Sequence, residues 1–460
     1  MCGVVGVYSK DGKLCSHISY YALFSLQHRG QESAGMATIS KDHVQLHKGM
    51  GLVSQVFDEE ILNKMAADYS VGHVRYSTTG RSQLENSQPL LVKSKAGNIA
   101  VAHNGNLVNY WDLRKMLENE GRVFLTDSDT EVISQLLSMY LLEYDIVNSL
   151  KLLNEQISGS CSFTMLVNDM LIGYRDPMGF KPLCVGEADY GYVIASESCA
   201  IDSTGATFLG DVEPGHAVII KDGQIDFVKI ADSPRKAFCV FEYIYFARPD
   251  SVIDGKSVYE VRHNIGRILA RESPAEVDTV SPVPDSGTTS SLGYSYESGI
   301  QYLEALIKNR YVGRTFIMPA QKERELSVRI KMNAIKNNVE GEKIVLVDDS
   351  IVRGTTSRKI VNMLRDSGAR EVHFRVGSPP IIAPCYFGID MSTKEELIAS
   401  SRDMETVREK INADSLAYLS IDGLLEAVGL EQKDLCLACL NERYPVDIPL
   451  EECKKVQGSR

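Results

Sequence analysis

The chain has 460 residues and a formal net charge of -12, from 49 basic and 61 acidic side chains mixed along its length. That length predicts two or three domains, each able to bury its own core. The lack of a basic stripe argues against nucleic acid as a partner, and the lack of a long apolar run argues against a membrane span.

The first residues, M-C-G-V-V-G-V-Y-S-K, carry neither a charged leader nor a secretory apolar region. A cytoplasmic protein is therefore expected, with its ten cysteines largely reduced. C-G-V-V-G-V-Y alternates like a strand and puts Cys2 directly behind Met1. A small second residue permits removal of the methionine. Cys2 would then carry a thiol and a free α-amine on one residue. The ordinary pKa of that amine, near ~7.7–8.0, lets it act as base for the thiol. Position two equally suits a cysteine buried in a first strand.

Four polar segments follow: Q-H-R-G-Q-E-S-A-G-M at Gln27 to Met36, G-H-V-R-Y-S-T-T-G at Gly72 to Gly80, A-H-N-G-N-L at Ala102 to Leu107, and T-D-S-D-T-E at Thr126 to Glu131. The alternating runs V-V-G-V-Y, N-I-A-V-A-H and C-S-F-T-M-L-V predict packed antiparallel sheets. Leu113 to Leu117 and Val132 to Leu142 predict amphipathic helices. Asn104-Gly105 is also a hairpin-turn signal. Arg75 and Asp129 also suit a surface, and His28, His73 and His103 read as structural histidines. Apolar patterning lapses at A-D-S-P-R-K, Ala231 to Lys236. The expected domains are therefore 2–232 and 233–460.

In the second half, C-V-F-E-Y-I-Y-F-A-R-P-D-S begins at Cys239, S-P-V-P-D-S-G contains Ser286, and K-N-R-Y-V-G-R-T-F runs from Lys308 to Phe316. Ile344 to Ser357 reads I-V-L-V-D-D-S-I-V-R-G-T-T-S. Its apolar start predicts a buried strand, and Ile360, Val361 and Leu364 predict the helix after it. Asp348 and Asp349 fall at the carboxyl end of the strand, where parallel sheets bind ligands. The Gly-Thr-Thr-Ser turn offers N–H groups and hydroxyls to a phosphate. The carboxylates suit sugar hydroxyls or Mg²⁺ held with a diphosphate. Helix capping is the plainer reading of the same residues.

The Ile344 to Ser357 stretch resembles the phosphoribosylpyrophosphate (PRPP) motif of type I phosphoribosyltransferases. Cys2-Gly3 and the four polar segments resemble, in order, the signature of class II (N-terminal nucleophile) glutamine amidotransferases. Together they resemble the glutamine PRPP amidotransferase family over nearly the whole chain. The resemblance implies an N-terminal αββα four-layer sandwich followed by a type I phosphoribosyltransferase domain with a parallel sheet. It implies Cys2 as nucleophile, Asn104 and Gly105 as oxyanion donors, and Arg75 and Asp129 as partners of the carboxylate and ammonium of glutamine. Arg29 is expected to support the nucleophile. Gly354, Thr355, Thr356 and Ser357 would hold the 5′-phosphate of PRPP beside Asp348 and Asp349. Ser286, Asp348 and Asp349 would be the Mg²⁺-associated positions. The stretch from Pro319 to Asn333 would close over PRPP, and ammonia would pass through a dry channel. Cys239, Cys385, Cys436 and Cys439 match the ligands of the [4Fe–4S] members, with a zinc Cys₄ site as rival. Those members commonly carry a propeptide. Here only Met1 precedes Cys2, so methionine removal alone is expected. Purine nucleotides as feedback inhibitors and a homotetramer are further implications. Two other readings are a glutaminase feeding another acceptor and a PRPP-sensing regulator without catalysis. The first lacks support from the PRPP stretch. Joint presence of Cys2, Arg75, Asn104 and Asp129 counts against the second.

Overall fold

The computed structural model describes residues 1–40, 43–76, 82–309, 332–391 and 393–449. Two antiparallel sheets dominate the first half. One has seven strands in the order Thr207–Asp211, Cys184–Ala188, Gly191–Ala195, Gly3–Ser9, Tyr69–Arg75, Ser33–Ser40 and His43–Met50. The other has six, ordered Gln224–Lys229, His216–Lys221, Met170–Arg175, Gly159–Val167, Gly97–Leu107 and Leu90–Ser94. Their inner faces meet in a core that mixes Val4, Ala37 and Val71 of the first sheet with Ala100, Leu166 and Leu171 of the second. Such alternation is what the period of two in the strand segments requires. The helix Cys15–Ser25 covers the outer face of the first sheet through Cys15, Ala22 and Leu23. The helices Tyr110–Asn119, Asp129–Tyr140 and Ile146–Gln156 cover the second. The layers are thus helix, sheet, sheet, helix, as expected.

One local expectation is corrected. Asn104-Gly105 makes no turn but lies inside the strand Gly97–Leu107, with Asn104 opposite Ser162 and Gly105 opposite Cys161. A nine-register ladder to Gly159–Val167 outweighs the local turn preference of the dipeptide. A Cβ on Gly105 would stand 2.0 Å from the Ser160 carbonyl oxygen, so glycine is required by close approach, not by a turn.

The second half is built on a parallel sheet in the order Gln301–Tyr302, Thr279–Pro282, Lys343–Asp348, Glu371–Val376, Ser415–Tyr418. In chain order this is 2-1-3-4-5, the doubly wound arrangement whose ligand crevice opens between strands 1 and 3. Val345 and Val347 pack on the side of the helix Val258–Glu272. Ile344 and Leu346 pack on the side of the helices Thr355–Asp366 and Met404–Ile411. Burial on both faces explains the unbroken apolar run I-V-L-V.

The halves share a seam. Phe180 stacks on Phe387 with ring centroids 4.5 Å apart. The Arg175 guanidinium forks onto Asp254 at 2.8 and 2.9 Å. Asn106 Nδ2 donates to the Tyr386 carbonyl at 2.9 Å.

Candidate active sites

Cys2 leads into the strand Gly3–Ser9, which pairs with Tyr69–Arg75 so that Gly3 faces Val74. This register brings the nucleophile candidate to the strand end that carries Arg75 and Tyr76. The Cys2 thiol contacts the Tyr76 carbonyl at 3.6 Å. The Cys2 N–H donates to Asn104 Oδ1 at 3.2 Å. The same bond leaves Asn104 Nδ2 buried with no hydrogen-bond partner among the described residues. A buried donor without an acceptor costs free energy unless something fills it. Here it belongs to the side chain that holds the Cys2 N–H.

Arg75 is buried, and its Nη1 donates to Glu32 at 2.8 Å. Asp129 starts the helix Asp129–Tyr140, and its Oδ2 accepts from the Leu107 N–H at 3.0 Å. Its Oδ1 stands 3.6 Å from His103 Nδ1. Burial acts to raise Asp129, but His103 and the N–H groups of Leu107 and Thr130 hold it below its ordinary range. Burial equally opposes charge on His103, and Asp129 overcomes it. His73 is different: burial pushes it down to about 3, and its Nε2 bonds the His103 carbonyl. Among the described residues no imidazole bonds the Cys2 thiol, consistent with structural histidines.

Arg29 is fully buried and reaches across the seam. Its Nε donates to the Cys2 carbonyl at 2.9 Å, and its fork takes Glu197 at 2.5 Å and both oxygens of Glu242 at 2.8 and 3.0 Å. Glu197 also accepts from the Arg248 N–H and the Ser251 hydroxyl. Sequence reasoning missed Glu32, Glu197 and Glu242. Glu32 stands two residues past the Q-H-R-G motif, inside the segment Gln27 to Met36, and could have been noticed. Glu197 and Glu242 have no local signature. Met1 is buried as well, and burial chiefly lowers its α-amine to about 6.

The four cysteines of the candidate ligand set come to the same seam. Phe238-Cys239 pairs in parallel with Leu435-Cys436, which sets Cys239 opposite Cys436. Cys439 lies in the short helix Ala438–Asn441, and its carbonyl accepts from the Ile382 and Ala383 N–H groups just before Cys385. Burial first, and then the neighbouring sulfurs of the set, push the Cys436 and Cys439 thiols up. Among the described residues, however, no three His, Cys, Asp or Glu side chains stand close enough together to hold a metal ion.

At the parallel sheet, Asp348 ends its strand and Asp349 follows, both buried. Asp349 interacts with the Ser286 hydroxyl, which arrives from the loop after strand Thr279–Pro282. Ser286 and the two aspartates thus meet at the switch point of the sheet. Burial, and then the charge of Asp349, raise Asp348 well above the carboxylate range. Asp349 is also raised, chiefly by burial. Gly354 has φ +74° at the start of the helix Thr355–Asp366, and no side chain caps that helix. Ser357 is buried, whereas Thr355 and Thr356 are exposed. The expected closing segment, 319–333, lies outside the described residues except for Met332 and Asn333, which begin the short strand Met332–Ala334.

The family model of a glutamine amidotransferase domain matches residues 73–203. The chain is 64% identical to an amidophosphoribosyltransferase of Archaeoglobus fulgidus, with 99% of this chain and 100% of the relative covered. It is 47% identical to that of Bacillus subtilis, with 97% and 94% covered. Among solved structures, a glutamine phosphoribosylpyrophosphate amidotransferase from B. subtilis complexed with ADP and GMP matches with a TM-score of 0.92 at 45% identity, over 98% of each chain.

Proposed function

The chain belongs to the amidophosphoribosyltransferase family, and from that premise we propose how its residues divide the work of the first step of purine biosynthesis. Residues 2–232 form the glutaminase and 233–460 the phosphoribosyltransferase. Once Met1 is removed, the α-amine of Cys2 takes the proton of its own thiol. The thiolate attacks the side-chain amide of glutamine. The oxygen that becomes negative lies against Asn104 Nδ2 and the Gly105 N–H. The orphaned Asn104 donor carries this reading, because it is a preorganised partner with nothing to bind in the resting protein. Arg75 releases Glu32 to take the α-carboxylate, and Asp129 takes the α-ammonium. Arg29 holds the Cys2 carbonyl and so fixes the direction of the nucleophile. Glutamyl thioester formation frees ammonia, which crosses the seam to the second site through a dry channel.

There the Gly354-Thr355-Thr356-Ser357 turn holds the 5′-phosphate of PRPP at a helix N-terminus. Ammonia displaces pyrophosphate at C1 of the sugar, giving 5-phosphoribosylamine. Ser286, Asp348 and Asp349 fit a divalent cation, since two buried carboxylates, Asp348 raised by burial and then by the charge of Asp349, and Asp349 raised by burial, would gain from positive charge. Mg²⁺ bound with PRPP supplies neutralisation of the departing diphosphate. An all-sulfur donor set of the kind that would hold a [4Fe–4S] cluster is offered by Cys239, Cys436 and Cys439, which are buried, and Cys385, which is half-buried. When bound, such a cluster would supply a structural link between segments far apart in sequence, and the reaction needs no redox step. Purine nucleotides as feedback inhibitors, a homotetramer and a cytoplasmic location complete the proposal. No helix among the described residues is long and apolar enough to cross a membrane.

The test uses anaerobically purified protein with glutamine, PRPP and Mg²⁺. Glutamate and pyrophosphate are quantified together, with a control lacking PRPP. Near-equal release, with little glutamate in the control, is the expected result. Glutamate without pyrophosphate would refute transfer to the sugar.

A further inference from the structure

Residues Glu242–Phe246 form a π-helical turn, closed by the Ala247 N–H on the Glu242 carbonyl at 3.1 Å. Such a turn is rare and persists where its surroundings fix it. Its carboxyl end leaves backbone groups that the turn itself does not pair. The glutaminase half takes one of them: the Arg248 N–H donates to Glu197 at 2.9 Å. Arg262 takes two more. This arginine lies on the helix Val258–Glu272 and is 3% exposed. Its Nε donates to the Tyr243 carbonyl at 2.7 Å and its Nη2 to the Ala247 carbonyl at 2.8 Å. The fork therefore spans the turn from its second residue to the residue after its end. Among the described residues Arg262 forms no ion pair. Burial works against its charge, and Asp349, Glu197 and Glu242 work for it from farther off. A guanidinium buried to hold two carbonyls is a costly clamp unless the clamped turn matters.

The turn carries Glu242. Both oxygens of Glu242 hold the Arg29 fork, and Arg29 Nε holds the Cys2 carbonyl at 2.9 Å. Behind Arg262 the frame is rigid. A Cβ on Gly266 would stand 1.8 Å from the Ser290 carbonyl oxygen, and one on Gly293 1.9 Å from the His263 carbonyl oxygen. The helices Val258–Glu272 and Thr288–Ser298 thus touch backbone to backbone, and the second begins just past Ser286. We propose that Arg262 is a positioning residue for the glutaminase, a role that rests on the glutaminase reading above. It fixes the π turn, and the turn fixes the Cys2 thiol through Glu242 and Arg29. The aim of the nucleophile is therefore set by a helix of the other half. The shape of the guanidinium matters as well as its charge. A lysine head in its place cannot hold both carbonyls in one planar fork.

The test compares wild type with Arg262→Lys and Arg262→Met. Glutamate release in the presence of PRPP gives kcat and KM for glutamine, and phosphoribosylamine formation from ammonium chloride reports on the second site. Arg262→Lys keeps a positive charge for Asp349 and loses the fork. It is expected to lower kcat with glutamine by ~tenfold to ~10²-fold, the cost of a displaced reacting group. KM for glutamine and ammonia-dependent turnover should not change. Arg262→Met removes the charge too and should lose no less with glutamine. Where the methionine variant does not accumulate, the lysine variant decides alone. Wild-type kcat with glutamine in Arg262→Lys would overturn the proposal. An equal fall in both turnovers would also overturn it, because general loosening gives that result. So would a rise in KM for glutamine without a fall in kcat. Wild type that releases no glutamate would overturn the glutaminase reading, and the positioning role with it.

Discussion

Replacing Asn104 by alanine separates the stability of the glutaminase site from its chemistry. In the resting protein the two ends of this amide act in opposite directions. Oδ1 satisfies the Cys2 N–H at 3.2 Å, whereas Nδ2 is buried and unpartnered. Truncation removes an orphan donor, worth a gain of ~1–3 kcal/mol, and orphans the Cys2 N–H at a similar cost, so the melting temperature should move little. The transition state has no such cancellation. Loss of one oxyanion donor costs ~2.7–4 kcal/mol, or ~10²–10³ in kcat. The assay measures phosphoribosylamine formation with glutamine and, separately, with ammonium chloride, at one fixed PRPP concentration. Glutamine-dependent turnover should fall by that factor, and ammonia-dependent turnover should stay at the wild-type value. A loss under ~tenfold, below what any removed oxyanion donor gives, would refute the assignment. Equal loss of both activities would also refute it, because the effect would then lie in the seam or the second site.

The residues proposed for catalysis could be picked out in the sequence because the chemistry they suggest is local. Cys2, Asn104 and the Asp348-Asp349 pair each sit in a short segment whose residue types have few other uses together. The sandwich was legible for a related reason: period-two alternation determines which faces two sheets present to each other. Asn104-Gly105 was misread as a turn since the strand partner that overrides it begins at Gly159, 52 residues beyond Leu107. The charge network was illegible for the same reason on a larger scale. Glu242 meets Arg29 across 213 residues, and no pattern near either announces the other. Lys181 is the extreme case. A lysine between Phe180 and Pro182 reads as ordinary, and only its complete burial, with Nζ on the Met1 thioether, makes it informative.

Three further perturbations probe other parts of the molecule. Gly354→Ala places a Cβ 2.4 Å from Ile398 Cδ1 at φ +74°, a backbone cost of ~1–2 kcal/mol before any clash. Calorimetry should show that loss, and KM for PRPP should rise with glutamine and with ammonia alike. Asp211 is raised from 3.8 to about 6, by burial first and then by Asp254. Its folded-state pKa lies above the unfolded one, so its contribution is present at low pH and lost as pH rises through about 6. Asp211→Asn should therefore stabilise the protein by roughly 3 kcal/mol at pH near ~7.5, with the gain vanishing near ~pH 4 in a denaturant series. The last perturbation concerns Arg29 and Glu242, the buried pair that ties the Cys2 carbonyl to the second half. Arg29→Met leaves two buried carboxylates without their guanidinium and should cost ~3–5 kcal/mol. Adding Glu242→Gln removes one of those charges, so the double variant should be more stable than the sum of the single losses predicts. A double-mutant cycle measures this directly, and additivity within ~0.5 kcal/mol would show that the two side chains are not energetically coupled. The paired loss should also reach the nucleophile, because Arg29 Nε holds the Cys2 carbonyl at 2.9 Å. Glutamine-dependent turnover should fall in Glu242→Gln, a residue of the other half, while the affinity for PRPP does not change. That outcome requires the seam itself, not either active site alone, to aim the thiol.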